Sequence, residues 1–168
     1  MEKITNLKDL LIEQIRELYN AEKQQQHALP KLKEKAEARE LKLAIQYHLA
    51  ETADHITRLE KVFQQLEVAS FGEESEAMQK LIKEGYDLVE RSSDPEVLDA
   101  SIIAAMQYME HFEMAGYGTA CTYANELGLR EIAEQLHFTL DEEKKIDEKL
   151  TEMAIAKINQ KAKSPVIV

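Results

Sequence analysis

Cysteine, proline, glycine and aromatic residues are all scarce in this chain of 168 residues, and each shortage removes a class of structure or chemistry. A single cysteine, Cys121, excludes an internal disulfide. It sits near the end of a helical stretch, where the dipole raises a thiol pKa, and no His or acid partner is evident. Five Gly, three Pro and 6% aromatic residues, against abundant Ala, Leu, Glu, Lys and Gln, point to helix almost throughout. No apolar run approaches the roughly 20 residues of a membrane span, and the opening M-E-K-I-T-N carries no signal-peptide core. The expectation is a cytoplasmic protein with no membrane partner. Positive charge is short as well: 21 Lys and Arg face 32 Asp and Glu, for a net charge of -11. That balance argues against nucleic acid held through its phosphates and leaves cation capture open. No glycine-rich phosphate loop occurs; Gly116 and Gly118 fall inside a helical pattern, where they suit close packing or a local bend.

What is present is apolar periodicity. Asn6 and Asp9 mark a helix start, and Leu7, Leu11, Ile15, Leu18, Glu22, Gln25, Leu29 and Leu32 then follow one face. Pro30 interrupts that pattern and predicts a bend near Gln26. A turn is expected near Ala36 to Ala38, then a second helix from Arg39 to Leu66 with Leu41, Ile45, His48, Thr52, His55, Leu59 and Val62 on its apolar face. After a break at Phe71-Gly72 comes a shorter amphipathic helix from Met78 to Val89. Asp94 as N-cap and Pro95 at the first helical position open a third long helix that stops at Gly128. A fourth starts near Leu129 or Arg130, with Ile132, Leu136, Leu140, Glu143 and Leu150 on one face. The reading is all-α: a four-helix bundle over residues 1–160 whose long crossover carries an extra helix, with a frayed tail over 161–168.

Acids interrupt these apolar faces at mid-height. Glu110 and Glu113 lie three apart beside the stripe of Ile102, Ile103, Ala105, Met106, Met109 and Tyr117. In an antiparallel hairpin, residues equidistant from the turn share a level, because each helix rises about 1.5 Å per residue. A turn centred near residue 37 places Glu22 opposite Glu51, and a turn at Gly128 places Glu113 opposite Glu143 and Glu110 near Asp147. His55, four residues after Glu51, lies within a turn of that layer, and His48 is an alternative imidazole. Carboxylates in one dry layer repel unless a cation neutralises them, and oxygen ligands with one or two imidazoles suit iron or manganese. The expected ligands are therefore Glu22, Glu51, His55, Glu110, Glu113, Glu143 and Asp147. Tyr19, one turn before Glu22, is a candidate redox-active or hydrogen-bonding ring at the same level. His111 and His137 read as exposed, local residues.

Bundles of the ferritin class build di-metal sites from a Glu on each of two helices and a Glu/His pair on each of the others. Here the usual Glu-x-x-His spacing is replaced by Glu51 to His55 and Glu143 to Asp147, both four apart. The runs E-L-Y-N-A-E-K-Q around Glu22, H-L-A-E-T from His48, A-A-M-Q-Y-M-E-H-F-E-M-A-G-Y-G-T and T-L-D-E-E-K-K-I-D-E-K-L together make the chain resemble the bacterial YciE/YciF stress proteins over nearly its whole length. That resemblance implies a ferritin-like, dimeric bundle linked to general stress, with a fold similar to rubrerythrin and manganese catalase. Rubrerythrins likewise carry Glu-x-x-Glu on the third helix, as at Glu110 and Glu113.

Two classes of function follow. The first is a di-metal carboxylate protein, di-iron or manganese, that oxidises Fe(II) with O2 or hydrogen peroxide, or with manganese disproportionates peroxide. The second is a metal-free helical dimer acting as a stress-induced scaffold, whose inward acids pair with basic residues or hold protons. Basic residues are rare on the apolar faces, since Arg16, Lys23, Lys144 and Lys145 fall mostly off them, and that scarcity favours the metal.

Overall fold

A computed structural model of the chain describes residues 3–70 and 74–163. The helices are α1 (Leu7–Lys35), α2 (Arg39–Gln65), α3 (Glu76–Arg91), α4 (Pro95–Glu126) and α5 (Arg130–Met153). The last continues through a π-helical turn, Ala154–Ile158, into a final turn, Asn159–Lys161. Among the described residues there is no strand. The expected breaks at Phe71-Gly72 and Pro165 lie outside the described residues.

The caps explain where the helices begin. Asn6 accepts from the backbone N–H of Asp9 at 3.0 Å, and Asp9 in turn accepts from Thr5 N–H at 2.9 Å, satisfying donors that the first turn of a helix leaves free. Asp94 accepts from Glu96 and Val97 N–H ahead of α4, with Pro95 at the first position as anticipated. Pro30 lies inside α1, which runs as one helix from Leu7 to Lys35.

The two hairpin turns are built differently. After α4, Gly128 adopts φ 73°, and the N–H groups of Gly128 and Leu129 return to Asn125 O and Ala124 O, which closes a tight turn. Between α1 and α2 the chain is instead extended at Ala36 (ψ 144°) and Ala38 (ψ 125°). Both backbone N–H groups of Glu37 and Ala38 donate to Asp99 on α4, at 2.7 and 2.8 Å. The extended link carries the chain onward along the bundle before α2 turns back. Lys33 consequently meets Gln46, and Tyr19 meets Glu60, about one helical turn further along α2 than a symmetric turn would place them.

The helices α1, α2, α5 and α4 form a ring, each packed on two neighbours. Cross-helix bonds fix an antiparallel sense at every contact: Arg58 and Gln65 on α2 meet Thr139 and Gln135 on α5, Gln107 and Cys121 on α4 meet Asp147 and Ala133, and Gln25 and Glu22 on α1 meet Glu110 and Tyr117. The diagonal pair α2 and α4 is therefore parallel, so the link between them must return along the bundle. That link carries α3, which packs on α1 and α4. Gly85 permits the approach: a Cβ there would lie 2.8 Å from Ala105 Cβ.

The core is divided. One apolar cluster (Leu29, Leu32, Leu41, Ile45, Ile102, Met106 and Leu150 among others) fills the end near the first turn. A second (Leu11, Ile15, Leu18, Leu59, Val62, Phe63, Tyr117, Leu136 and others) fills the opposite end. Each fully buried Leu or Ile contributes about 1.5–3 kcal/mol, so the two ends together can carry a polar layer whose ions each cost several kcal/mol. That layer lies between them.

Candidate metal centre

Four helices each send polar side chains into the layer, and all are inaccessible to solvent: Glu22 and Gln25 from α1, His48, Thr52 and His55 from α2, Glu110 and Glu113 from α4, and Glu143 from α5. Helical spacing aims them. Glu22 and Gln25 continue the stripe Leu11, Ile15, Leu18, and Glu143 stands between Leu140 and Ile146. On α2 the inward positions at this level are His48, Thr52 and His55. Gly116, one turn past Glu113, lets α1 come close, since a Cβ there would lie 2.6 Å from Leu18 Cδ2.

The donors form two groups around Glu143. Glu22, His55 and Glu143 offer three ligand atoms within 4.8 Å of one another, and so do His48, Glu110 and Glu143. His55 Nδ1 is 3.1 Å from Glu22 Oε1 and 2.9 Å from Glu143 Oε1. His48 Nε2 is 3.1 Å from Glu110 Oε1. The His48–Glu110 approach is at ion-pair distance but not aligned as a hydrogen bond, and both nitrogens of His48 and both oxygens of Glu143 lack a hydrogen-bond partner. Both oxygens of Glu113 are likewise unpartnered, as are Glu22 Oε2 and Glu110 Oε2. Tyr117 donates to Glu22 Oε1 at 2.5 Å, and Gln25 donates to Glu110 Oε1 at 3.2 Å.

The electrostatics follow from this crowding. Burial, then the nearby charges of Glu22 and Glu143, holds Glu113 well above the usual carboxylate range. Burial and Glu110 push Glu143 up to about 7. Glu22 is raised by burial despite the opposing pull of His55. For both imidazoles burial acts downward, but Glu110 on His48 and Glu22 on His55 more than offset it, so both favour the charged form. Without metal the layer balances only if protons stay on part of the carboxyl set, as the raised Glu113 and Glu143 indicate, alongside two protonated imidazoles. Two divalent cations with neutral imidazoles would balance all four carboxylates. A buried, unpartnered carboxylate is costly unless protonated or bound to a cation, so the donor set fits a pair of metal ions.

The remaining anticipated residues lie elsewhere. Glu51 is half-buried at the rim, its Oε2 3.8 Å from His48 Nδ1. The register shift of α2 brings His55, in place of Glu51, level with Glu22. Asp147 stands beside the inward Ile146 and accepts from Gln107 Nε2 at 3.0 Å, with His111 Nε2 3.2 Å away. Tyr19 points out of the layer, donating to Glu60 Oε1 at 2.9 Å with its ring edge-on to Phe63. The tyrosine that reaches the centre is Tyr117, four residues after Glu113, a spacing that already placed the two on one face. His111 and His137 are exposed and lie near Asp147 and Asp141. Cys121 takes no part; burial raises its thiol, which donates to Ala133 O. Sequence reasoning missed Glu142 and Arg58. Glu142 Oε2 lies 3.2 Å from His55 Nε2 and 2.9 Å from Arg58 Nη1, and the adjacency of Glu142 to Glu143 was the available signal.

Among the described residues, no helix is long and apolar enough to cross a membrane. Residues 6–163 match the family described as a domain of unknown function, DUF892. The chain is 39% identical over 161 residues to Protein YciF of Escherichia coli (strain K12), covering 94% of this chain and 96% of that protein. The crystal structure of the E. coli stress protein YciF superimposes with a TM-score of 0.89 at 38% identity, over 94% of this chain and all of that one. A structure of YcfI from Rhodopseudomonas palustris gives 0.87 at 40% identity, over 89% of this chain and 96% of that one. Fold and sequence identity agree over nearly the full length, and the chain, similar to YciF, belongs to the DUF892 family.

Proposed function

We propose that this chain is a di-metal carboxylate protein that binds iron and oxidises Fe(II) with O2 or hydrogen peroxide during stress. The observation that carries the reading is the pair of three-residue donor groups sharing Glu143, with the unpartnered Glu113 beside them. Glu22 and His55 would hold one ion and His48 and Glu110 the other, with Glu143 and Glu113 between. Carboxylate-rich oxygen donors with one imidazole per ion suit iron or manganese. When bound, iron supplies the redox chemistry, each Fe(II) giving one electron to the oxidant and becoming Fe(III). The chain's own residues hold the ions in a dry layer, and helix-borne carboxylates can shift as charge changes. The stress setting rests on kinship with YciF, which is described as a stress protein. A homodimer and a cytoplasmic location complete the reading, the latter resting on the sequence alone.

The alternative, a metal-free helical scaffold, is favoured by one feature: each buried imidazole already has a carboxylate within 3.1 Å. Metal analysis of protein purified without chelator separates the two, followed by anaerobic Fe(II) titration and exposure to air. The iron reading expects two ions per chain and a ferric-oxo absorption band; a chain that takes up none is a scaffold. Hydrogen peroxide turnover by manganese-loaded against iron-loaded protein identifies the metal that serves catalysis.

A further inference from the structure

The two halves of the centre are not equivalent. On His55, Nδ1 faces inward to Glu22 and Glu143, while Nε2 faces outward to Glu142 Oε2 at 3.2 Å. Glu142 is itself fixed: Arg58 Nη1 donates to it at 2.9 Å and also to Thr139 Oγ1, and the guanidinium lies 4.7 Å over the ring of Phe138. An imidazole whose outer N–H is held by an anchored carboxylate is locked in orientation and in the tautomer that keeps the inner nitrogen free for a metal. His48 has no such support. Neither of its nitrogens makes an aligned hydrogen bond, and the nearest acid on its outer side, Glu51, is 3.8 Å away with its side chain 27% exposed.

From this asymmetry we infer that Glu142, anchored by Arg58, is a positioning residue that makes the Glu22–His55–Glu143 half the tight, first-filled metal subsite, and leaves the His48–Glu110 half the weaker, exchangeable one. The inference rests on the di-metal reading. It assigns a task to two side chains that touch no metal themselves and lie at the wall of the bundle, where α2 and α5 frame an open groove lined by Arg58 and Phe138.

The test is a calorimetric and spectroscopic titration with Co(II) and Zn(II) under anaerobic conditions, using the full chain and its Glu142→Gln variant. Wild type is expected to bind two ions in separate steps. Glu142→Gln is expected to weaken the first step about 10- to 100-fold and the second far less, and Glu142→Asp to recover part of the loss. Nitrogen-15 NMR of the zinc-loaded protein provides a readout that a merely structural role would not move: the His55 Nε2–H proton, held by Glu142 in wild type, exchanges slowly with solvent and resonates downfield, and in the variant it exchanges faster and moves upfield. If Glu142→Gln does not fold, Arg58→Gln takes its place, with a smaller loss in the same step. Equal losses at both steps, no loss at either, or a His55 proton on Nδ1 would overturn the inference while leaving the di-metal reading intact. Failure of wild type to bind any ion would instead remove the di-metal reading itself.

Discussion

Tyr117 on α4 reaches across the bundle to donate its phenol proton to Glu22 on α1, 2.5 Å away and beyond the reach of solvent. Burial and the surrounding carboxylates hold that phenol well above its ordinary range, so it stays a donor at every working pH. A hydrogen bond to a charged group contributes about 1.5–3 kcal/mol. Tyr117→Phe should lower stability by that amount, read from urea unfolding with chelator present, whereas Tyr19→Phe, whose hydroxyl contacts the surface residue Glu60, should cost under about 1 kcal/mol.

Glu113 distinguishes the two functions by the sign of one mutation. Its oxygens have no partner and its neighbours are acids. Without metal, Glu113→Gln relieves the cost of burying an acid that must take up a proton to be tolerated and should raise stability by about 1–3 kcal/mol, or roughly 2–4 °C in Tm per kcal/mol. With Fe(II) or Co(II) the order should reverse, the variant binding more weakly and gaining less stability from the ion. A variant that is less stable than wild type in chelator would mean that Glu113 has a partner in the apo protein.

The same crowding sets a pH dependence. Glu143 ionises only at about 7 in the fold, against an ordinary 4.5, and an acid raised on folding opposes the native state progressively as pH climbs between those values. The raised His48 acts in the same sense: its contribution is complete below its ordinary 6.5 and is lost as pH rises through its folded value. Glu142 acts in the opposite sense and at lower pH, since its lowered pKa confers stability that disappears as pH falls below the usual carboxylate range. The apo protein should therefore be more stable at about pH 5.5 than at pH 8, by about 2 kcal/mol from Glu143 alone. Metal must displace protons from these ligands, so the Tm gained on adding Co(II) should be larger at the higher pH. Melts in chelator and in excess Co(II) at both pH values check both signs.

How much of this was legible depends on the turns. Gly128 announces a tight turn, and the α4/α5 register follows from it by counting, so Glu113 and Glu143 are found at one level. The link Ala36 to Ala38 carries no such mark; a turn is expected there, but its run of Lys, Glu and Ala does not give the turn's geometry, and the Asp99 carboxylate that accepts from the extended link lies 61 and 62 residues away in sequence. Counting from a symmetric turn therefore pairs Glu22 with Glu51, while the extended link brings His55 to that place. The α2 stripe itself, with His48, Thr52 and His55 inward, was visible from periodicity. Glu142 and Arg58 were not, because both stand at the wall, where helical spacing does not separate a residue that braces the site from one that merely faces solvent.

The most direct test is anomalous diffraction from crystals loaded with Fe(II) without oxygen, collected on both sides of the iron edge. The account predicts two peaks per chain on either side of Glu143, one against His55 and Glu22 and the other against His48 and Glu110. No peak in that layer, with the four carboxylates keeping the apo arrangement, would contradict it.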